Sequence, residues 1–253
     1  MRTFITCLLV ITIVSSVFSQ SAINKPFKPG EKLEYIMYYG WIDGGVGTLT
    51  LTEDSLNNKL VWHSVLAAHS IGITDKIYRI QDRYESYFDP QIDLPVKSIR
   101  DIKEGNYTWY NECLFDHEHD TVYSKRSGAV KVPDNSYDIV SAFYKLRVLL
   151  NEETEIGTVI KIESYFADEI FPLYIRYKGI ETVTTSLGTF ECMKFSPVVE
   201  VGRVFKTKDD MTMWISNDKN RLPIRMKFDL FVGSLKVDLK QFEKLKYPLS
   251  SKK

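Results

Sequence analysis

Cysteine is nearly absent from this chain: three in 253 residues, and one of them, Cys7, lies in the first twenty. That leaves Cys113 and Cys192, with no Cys-x-x-Cys pair or zinc-ribbon spacing, so redox and structural-zinc chemistry find no support. Charge of one sign is also missing, since 33 basic residues face 33 acidic ones. Nucleic-acid binders gather Lys and Arg on one face to neutralise phosphates; here the signs alternate along almost every segment, and nucleic acid is not an expected partner. No Gly-x-Ser-x-Gly, no His-Glu-x-x-His and no glycine loop opening a helix occurs, so the sequence predicts no enzyme and no cofactor. The chain also lacks an apolar run of the ~20 residues that a membrane-spanning helix needs.

What is present begins at the N-terminus. Arg2 supplies a positive start, Phe4 to Val14 is apolar except for Thr6 and Thr12, and Val17-Phe18-Ser19 places compact residues before Gln20. This is the pattern of a cleaved signal peptide. Residues 1–19 are therefore expected to be removed, with 20–253 exported to the periplasm or beyond as one β-rich domain and a possible subdivision near 130–155. Cys7 sits inside the apolar run, badly placed for a lipid anchor. An exported pair such as Cys113 and Cys192 permits a disulfide. Their apolar neighbours, Leu114-Phe115 and Phe190 with Met193, favour two buried free thiols.

Period-two patterning dominates the rest. Thr48-Leu49-Thr50-Leu51-Thr52 alternates strictly, as a half-buried strand requires. Residues 60–67, 77–87, 96–102, 107–115, 158–165, 173–177 and 235–239 follow suit, and fifteen Tyr and fourteen Phe suit a pleated surface. Turn residues divide the strands: Asp43-Gly44-Gly45, Asn57-Asn58, Asp89-Pro90, Gly105-Asn106, Ser127-Gly128, Ser186-Leu187-Gly188 and Asn217 to Asn220. One segment departs from this. From Ser136 to Leu150 the residues Ile139, Val140, Phe143, Leu146 and Leu150 recur at helical spacing behind Pro133-Asp134-Asn135-Ser136, which predicts an amphipathic helix. The expected fold is all-β: a long antiparallel sheet curled into a β-roll or incomplete barrel, with one central α-helix. Two abutting β-sandwich halves are the alternative.

Leu33 to Trp41 carries apolar bodies on both parities, with Leu33, Tyr35, Met37, Tyr39 and Trp41 opposite Ile36, Tyr38 and Ile42. Both faces are expected to be covered. Tyr35, Tyr39, Trp41, Phe143 and Trp214 are the aromatics that either face a ligand or fill the core.

With these landmarks the chain resembles the exported bacterial proteins grouped as domain of unknown function 3108. The likeness runs through Phe27 to Tyr35, Tyr39-Gly40-Trp41, Gly45-Val46-Gly47, Asp82 to Ser86, Asp138 to Arg147, Gly188 to Cys192, Trp214 to Asp218, Arg221 to Ile224 and Gly233 to Val237. The resemblance implies an exported β-rich protein and supplies no catalytic residues. The closing pattern of a Trp strand, a polar turn and Pro223 is also similar to periplasmic lipid- and lipoprotein-carrier folds.

His117 and His119, within Asp116 to Asp120, are the weak metal candidates. Two His without a distant third ligand make a poor site, and a solvated turn is the simpler reading. His63 and His69 read as isolated strand residues. Glu152-Glu153, Asp168-Glu169 and Asp209-Asp210 read as solvated loop acids. The functional expectation is a non-enzymatic periplasmic or cell-envelope protein whose partner is an envelope component. A carrier of a hydrophobic ligand in an apolar groove is the alternative.

Overall fold

The first and last strands of the chain lie side by side at the centre of a single sheet. The computed structural model describes residues 25–151, 154–198, 211–229 and 233–253, so the signal segment, Glu152-Glu153 and Asp209-Asp210 lie outside the described residues. In the N-terminal half run β1 (Lys32–Tyr39), β2 (Ile42–Leu56), β3 (Lys59–Ser70), a short α1 (Gly72–Ile77), β4 (Gln81–Phe88), β5 (Pro95–Glu104), β6 (Tyr107–Asp116), β7 (Thr121–Ser124) and β8 (Gly128–Lys131). The helix α2 (Ile139–Leu149) follows, then β9 (Val159–Ile162), the small pair β10 (Tyr165–Phe166) and β11 (Glu169–Ile170), and β12 (Leu173–Thr185). The chain ends with β13 (Gly188–Pro197), β14 (Met211–Ser216), β15 (Pro223–Asp229) and β16 (Ser234–Glu243).

Fourteen of these strands form one antiparallel sheet in the order β8-β7-β6-β5-β4-β3-β2-β1-β16-β15-β14-β13-β12-β9. Almost every neighbour is a sequence neighbour, because short turns allow only adjacent antiparallel pairing. Asn57 and Asn58 both take positive φ, the backbone of a two-residue hairpin whose twist matches its strands. The exceptions are β9, which pairs with β12 across the β10–β11 hairpin, and the seam, where β1 pairs with β16 from Lys32 opposite Glu243 to Tyr39 opposite Leu235. The sheet does not close: β8 and β9 are its free edges. A sheet this wide curls, and α2 sits in the curl, packed against β3, β4 and β9. Val140 and Tyr144 enter a core with Phe27, Leu33, Tyr35, Phe88 and Trp214. Ala142, Leu146 and Leu150 enter a second with Ile175, Met193, Phe195 and Ile215. One helix thus fills both halves of the trough.

Asp138 starts that helix. Its carboxylate accepts from Val140 N at 2.8 Å and Ser141 N at 3.1 Å, and Ser141 Oγ accepts from Asp138 N at 3.1 Å, a reciprocal capping box. The expected cap at 134–136 is therefore displaced by two to four residues. Near the other end, Arg147 is fully buried and forms a two-pronged ion pair with Glu31, Nη1 to Oε1 at 2.6 Å and Nη2 to Oε2 at 3.0 Å.

Several expectations are corrected. Among the described residues there are two helices rather than one: 72–77 is α1, so the strand expected over 77–87 begins at Gln81. Six residues are too few for helical periodicity to register against its flanking strands. Gly44 and Gly45 lie inside β2 rather than in a turn. A Cβ on Gly45 would stand 3.0 Å from the His69 carbonyl oxygen and 3.1 Å from Met37 Cε, so the glycine permits close strand approach. β1 ends at Tyr39, and Trp41 projects from the β1–β2 turn. Its outer face is only half-buried, by Tyr38 donating to Asp238 at 2.8 Å.

Trp214 is buried on β14 beneath Lys194, Asn217 to Asn220 form the following turn, and Pro223 opens β15. Trp214→Ala is expected to lower unfolding free energy by about 3–5 kcal/mol in urea titration, the range for deleting a packed large aromatic. A loss below about 1 kcal/mol would show that the ring is not part of the core.

Candidate functional site

A small cavity opens between the inner face of β4–β6, the first turn of α2 and the β10–β11 hairpin, with a volume of about 40 Å³. Strand register builds its wall. Tyr84, Arg100 and Asn111 align across β4, β5 and β6, and Ser86, Ser98 and Cys113 form the next row inward. Trp109, opposite Ile102, has the same parity as Asn111 and so faces the same side.

Arg100 is the centre of the wall. Its guanidinium carbon stands 5.9 Å from the Tyr84 ring, 5.6 Å from Trp109 and 5.0 Å from Phe166, three cation–π contacts. Arg126 covers Trp109 from outside at 3.9 Å. Among the described residues neither guanidinium has a carboxylate within 4.0 Å. Arg100 Nε and Trp109 Nε1 are buried with no hydrogen-bond partner there. A buried unpaired donor costs about 1–3 kcal/mol, and Tyr35 OH and Trp214 Nε1 in the core are left in the same state among the described residues.

The acids around the cavity are, in contrast, occupied. Asp168 Oδ1 accepts from Ser124 Oγ at 2.6 Å, Asn111 Nδ2 at 2.8 Å, Ser127 Oγ at 3.0 Å and Tyr165 OH at 3.3 Å. Burial works to raise its carboxyl, but hydrogen bonds from Ser124, Ser127 and Asn111 outweigh it and hold it below the usual carboxylate range. Asp168 is thus a clasp fastening the β10–β11 hairpin to β6 and β7, not the solvated loop acid expected from sequence. The clasp also holds Ala167 and Asp168 at φ +54° and +64°, a backbone that Ala adopts only under constraint. Burial raises Asp138, partly countered by hydrogen bonds from Ser86 and Ser141; that side chain is committed to the helix cap.

The cysteines are free and buried, as favoured, on β6 and β13. Burial pushes the Cys113 thiol up to about 11 and the Cys192 thiol up to about 12, which leaves almost no thiolate at neutral pH. His117 and His119 occupy the Asp116–Asp120 turn between β6 and β7. His117 Nε2 lies 2.7 Å from the Pro95 carbonyl and His119 Nδ1 lies 2.9 Å from Asp116 Oδ2. Among the described residues no three potential ligands converge on one point. His63 is not isolated: its Nε2 lies 2.7 Å from Glu85 Oε2 and its ring stacks on Tyr87 at 4.0 Å.

None of the five candidate aromatics lines the cavity. Tyr35 and Trp214 are core residues, and Phe143 packs against that core. Tyr39 and Trp41 stand exposed at one end of the sheet. The residues that do line it, Arg100, Trp109, Phe166 and Asp168, were missed. Their signal was the inward parity of β6, which carries Trp109 and Asn111 where an ordinary core strand carries aliphatic residues.

The chain belongs to the family described as Protein of unknown function (DUF3108), whose model matches residues 34–240. Among curated proteins none matches the chain. The chain is similar to the crystal structure of a beta-barrel-like protein of domain of unknown function DUF1849 from Brucella abortus. The TM-score is 0.51 at 7% identity, over 84% of this chain and 96% of that one. A DUF1089 family protein from Pseudomonas aeruginosa matches with a TM-score of 0.34 at 12% identity, over 78% and 90%. The first likeness concerns the fold alone.

Asp168→Ala is expected to cost about 1.5–3 kcal/mol, the range for charge-assisted hydrogen bonds, and to speed amide exchange in 165–170. Because the folded pKa is depressed, wild-type protection should be full above about pH 4 and decline as pH falls through the folded value. Unchanged exchange at 165–170 in the variant would rule out the clasp.

Proposed function

We propose that this chain is an exported, non-enzymatic protein of the cell envelope that works by docking on a lipid surface. The observation that carries this reading is an aromatic and branched apolar rim at one end of the sheet. Three connections meet there. Ile71 N donates to the Gly44 carbonyl at 3.0 Å, which sets α1 beside the start of β2, and Gly105 N donates to the Arg79 carbonyl at 2.7 Å, which sets the β5–β6 turn beside it. Trp41 is 90% exposed and Ile77 78% exposed, with Ile73, Tyr78 and Tyr107 also open to solvent. Apolar side chains collected from separate loops mark an interaction surface. Trp and Tyr are the residues that favour the membrane–water boundary, and Lys76 stands exposed on the same rim to meet anionic headgroups, while Arg79 there lies 3.8 Å from Asp75.

Export rests on the pattern of residues 1–19. The non-enzymatic part is supported by the way the inner acids are engaged: Asp138 by Ser86 and Ser141, Asp168 by its four donors, Asp218 by Ser216 and Ser251. A carboxylate saturated in this way is poorly placed for general acid–base work. The carrier alternative draws no support from the cavity, since about 40 Å³ is far below the ~300–1,000 Å³ of a ligand pocket.

The protein released from the periplasm of producing cells, its chain beginning within two residues of Gln20, is expected to co-sediment with vesicles of phosphatidylethanolamine and phosphatidylglycerol. Trp41→Ala combined with Ile77→Ser should weaken that binding about tenfold or more, given two apolar side chains at ~1.5–3 kcal/mol each. Vesicle binding that is absent, or equal in the double variant, contradicts the docking reading.

A further inference from the structure

We infer that the β10–β11 hairpin is a lid: it pivots at its base and, when raised, uncovers the inner face of β5–β7 with Cys113 while the rest of the sheet stays folded. Base and tip are held by different forces. At the base the chain is tied by its backbone to the residue before the α2 cap, Tyr137 N donating to the Glu163 carbonyl at 2.9 Å and Tyr165 N to the Tyr137 carbonyl at 2.8 Å. Phe171 N closes the hairpin on the Ser164 carbonyl at 2.7 Å, and Ser164 Oγ donates to the Phe171 carbonyl. The two strands pair with each other and stand apart from the large sheet. Toward the tip the hairpin is fastened by side chains: Asp168 to Ser124, Ser127 and Asn111, Tyr165 OH with Ser127 Oγ at 3.0 Å, and Phe166 against the Tyr84 ring at 6.3 Å.

Three features make the tip the part that gives way first. Ala167 and Asp168 hold a left-handed backbone at φ +54° and +64°, which relaxes once the clasp releases. Beneath the hairpin lies a small core of its own, Cys113, Phe115 and Val122 under Tyr165, distinct from the two cores that α2 fills. That core sits near the end of the sheet, where β8 is a free edge. A segment that buries few apolar groups opens at a lower free energy than the whole molecule. The cavity of about 40 Å³ already parts the hairpin from the wall, and its lining joins Phe166, Ala167 and Asp168 to Trp109, Asn111 and Cys113. Raising the tip turns this closed space into an open half of the trough. The lid therefore sets whether that half can be reached from solvent.

Cys113 and Cys192 are both free and buried, one beneath the hairpin and the other in the core with Trp214, so each thiol reports a different opening. At neutral pH, reaction of the folded protein with dithiodipyridine is followed at each cysteine by peptide mass, at urea concentrations below the unfolding transition. Cys113 should react about a hundredfold faster than Cys192, because its opening is local. Its rate should hardly change with urea, since lifting a hairpin exposes little surface, whereas the Cys192 rate should climb with the slope of global unfolding. Asp168→Ala should speed the Cys113 reaction about tenfold or more, the value of a charge-assisted hydrogen bond. Ser127→Ala, which removes one of the donors to Asp168, should speed it about threefold. Thermal melts confirm folding, and Ser127→Ala carries the test if Asp168→Ala fails to fold. Equal rates and equal urea dependence at the two thiols overturn the lid, because both then wait for the whole molecule to unfold. A Cys113 rate in the folded variant that matches wild type overturns it as well. Vesicle binding is read separately, so failure here leaves the rim untouched and failure there leaves the lid untouched.

Discussion

The ion pair between Glu31 and Arg147 is the constraint on which the two halves of this fold depend. Glu31 precedes the central strand β1, and its carbonyl accepts from Leu51 N at 2.9 Å. Arg147 lies in the last turn of α2. It also donates to the Asn220 carbonyl, from Nη2 at 2.9 Å and Nε at 3.2 Å. Asn220 in turn binds the C-terminal tail through the carbonyls of Tyr247 and Pro248 and the Tyr247 amide. The rings of Phe27, Phe143 and Tyr144 surround the guanidinium at 5.0, 5.8 and 5.6 Å. One buried side chain therefore fastens the start of the seam, the helix, the β14–β15 turn and the tail. Taking two charges out of water offsets most of their attraction, whereas removing one partner leaves the other buried and uncompensated. The pair acts less as a source of net stability than as a device that permits one seating of the helix in the trough.

The segments that carry the family likeness acquire a physical meaning from this arrangement. Phe27 and Glu31, Asp138 and Arg147, and Asp218 with the following turn all belong to buried polar nodes or to the aromatic cage around them. They build the fold. The small cavity lies elsewhere, on the β4–β6 face, and the exposed apolar surface lies at the rim around Trp41 and Ile77. Structure, cavity and surface are three separate regions.

Strands were legible wherever one face is buried and one is wet, because alternation then records burial directly. Thr48 to Thr52 and the hairpin through Gly188 are such cases. The central helix was legible from its spacing, but its cap was not: Asp138 is selected over Asp134 and Asn135 by Ser86, a partner 52 residues away that no local pattern encodes. The glycines of β2 misled for a related reason. Local chemistry reads Asp43-Gly44-Gly45 as a turn, while the need for room next to Met37 and His69 arises only after β1 and β3 have paired with β2. The cavity was least legible, since Arg100, Asn111, Ser124 and Asp168 come together only through strand register and one small hairpin. Trp41, read as a core or ligand-facing aromatic, is the opposite case, because strand parity cannot reveal that the strand has already ended at Tyr39.

The most direct test of the seating role is a double-mutant cycle on the buried pair by urea denaturation, with Glu31→Gln, Arg147→Met and both together. Each single change should cost about 3–5 kcal/mol by stranding a buried partner, and the double variant should cost less than the sum by at least ~2 kcal/mol. Single losses under about 1 kcal/mol that simply add would contradict the claim that this pair holds the two halves in register.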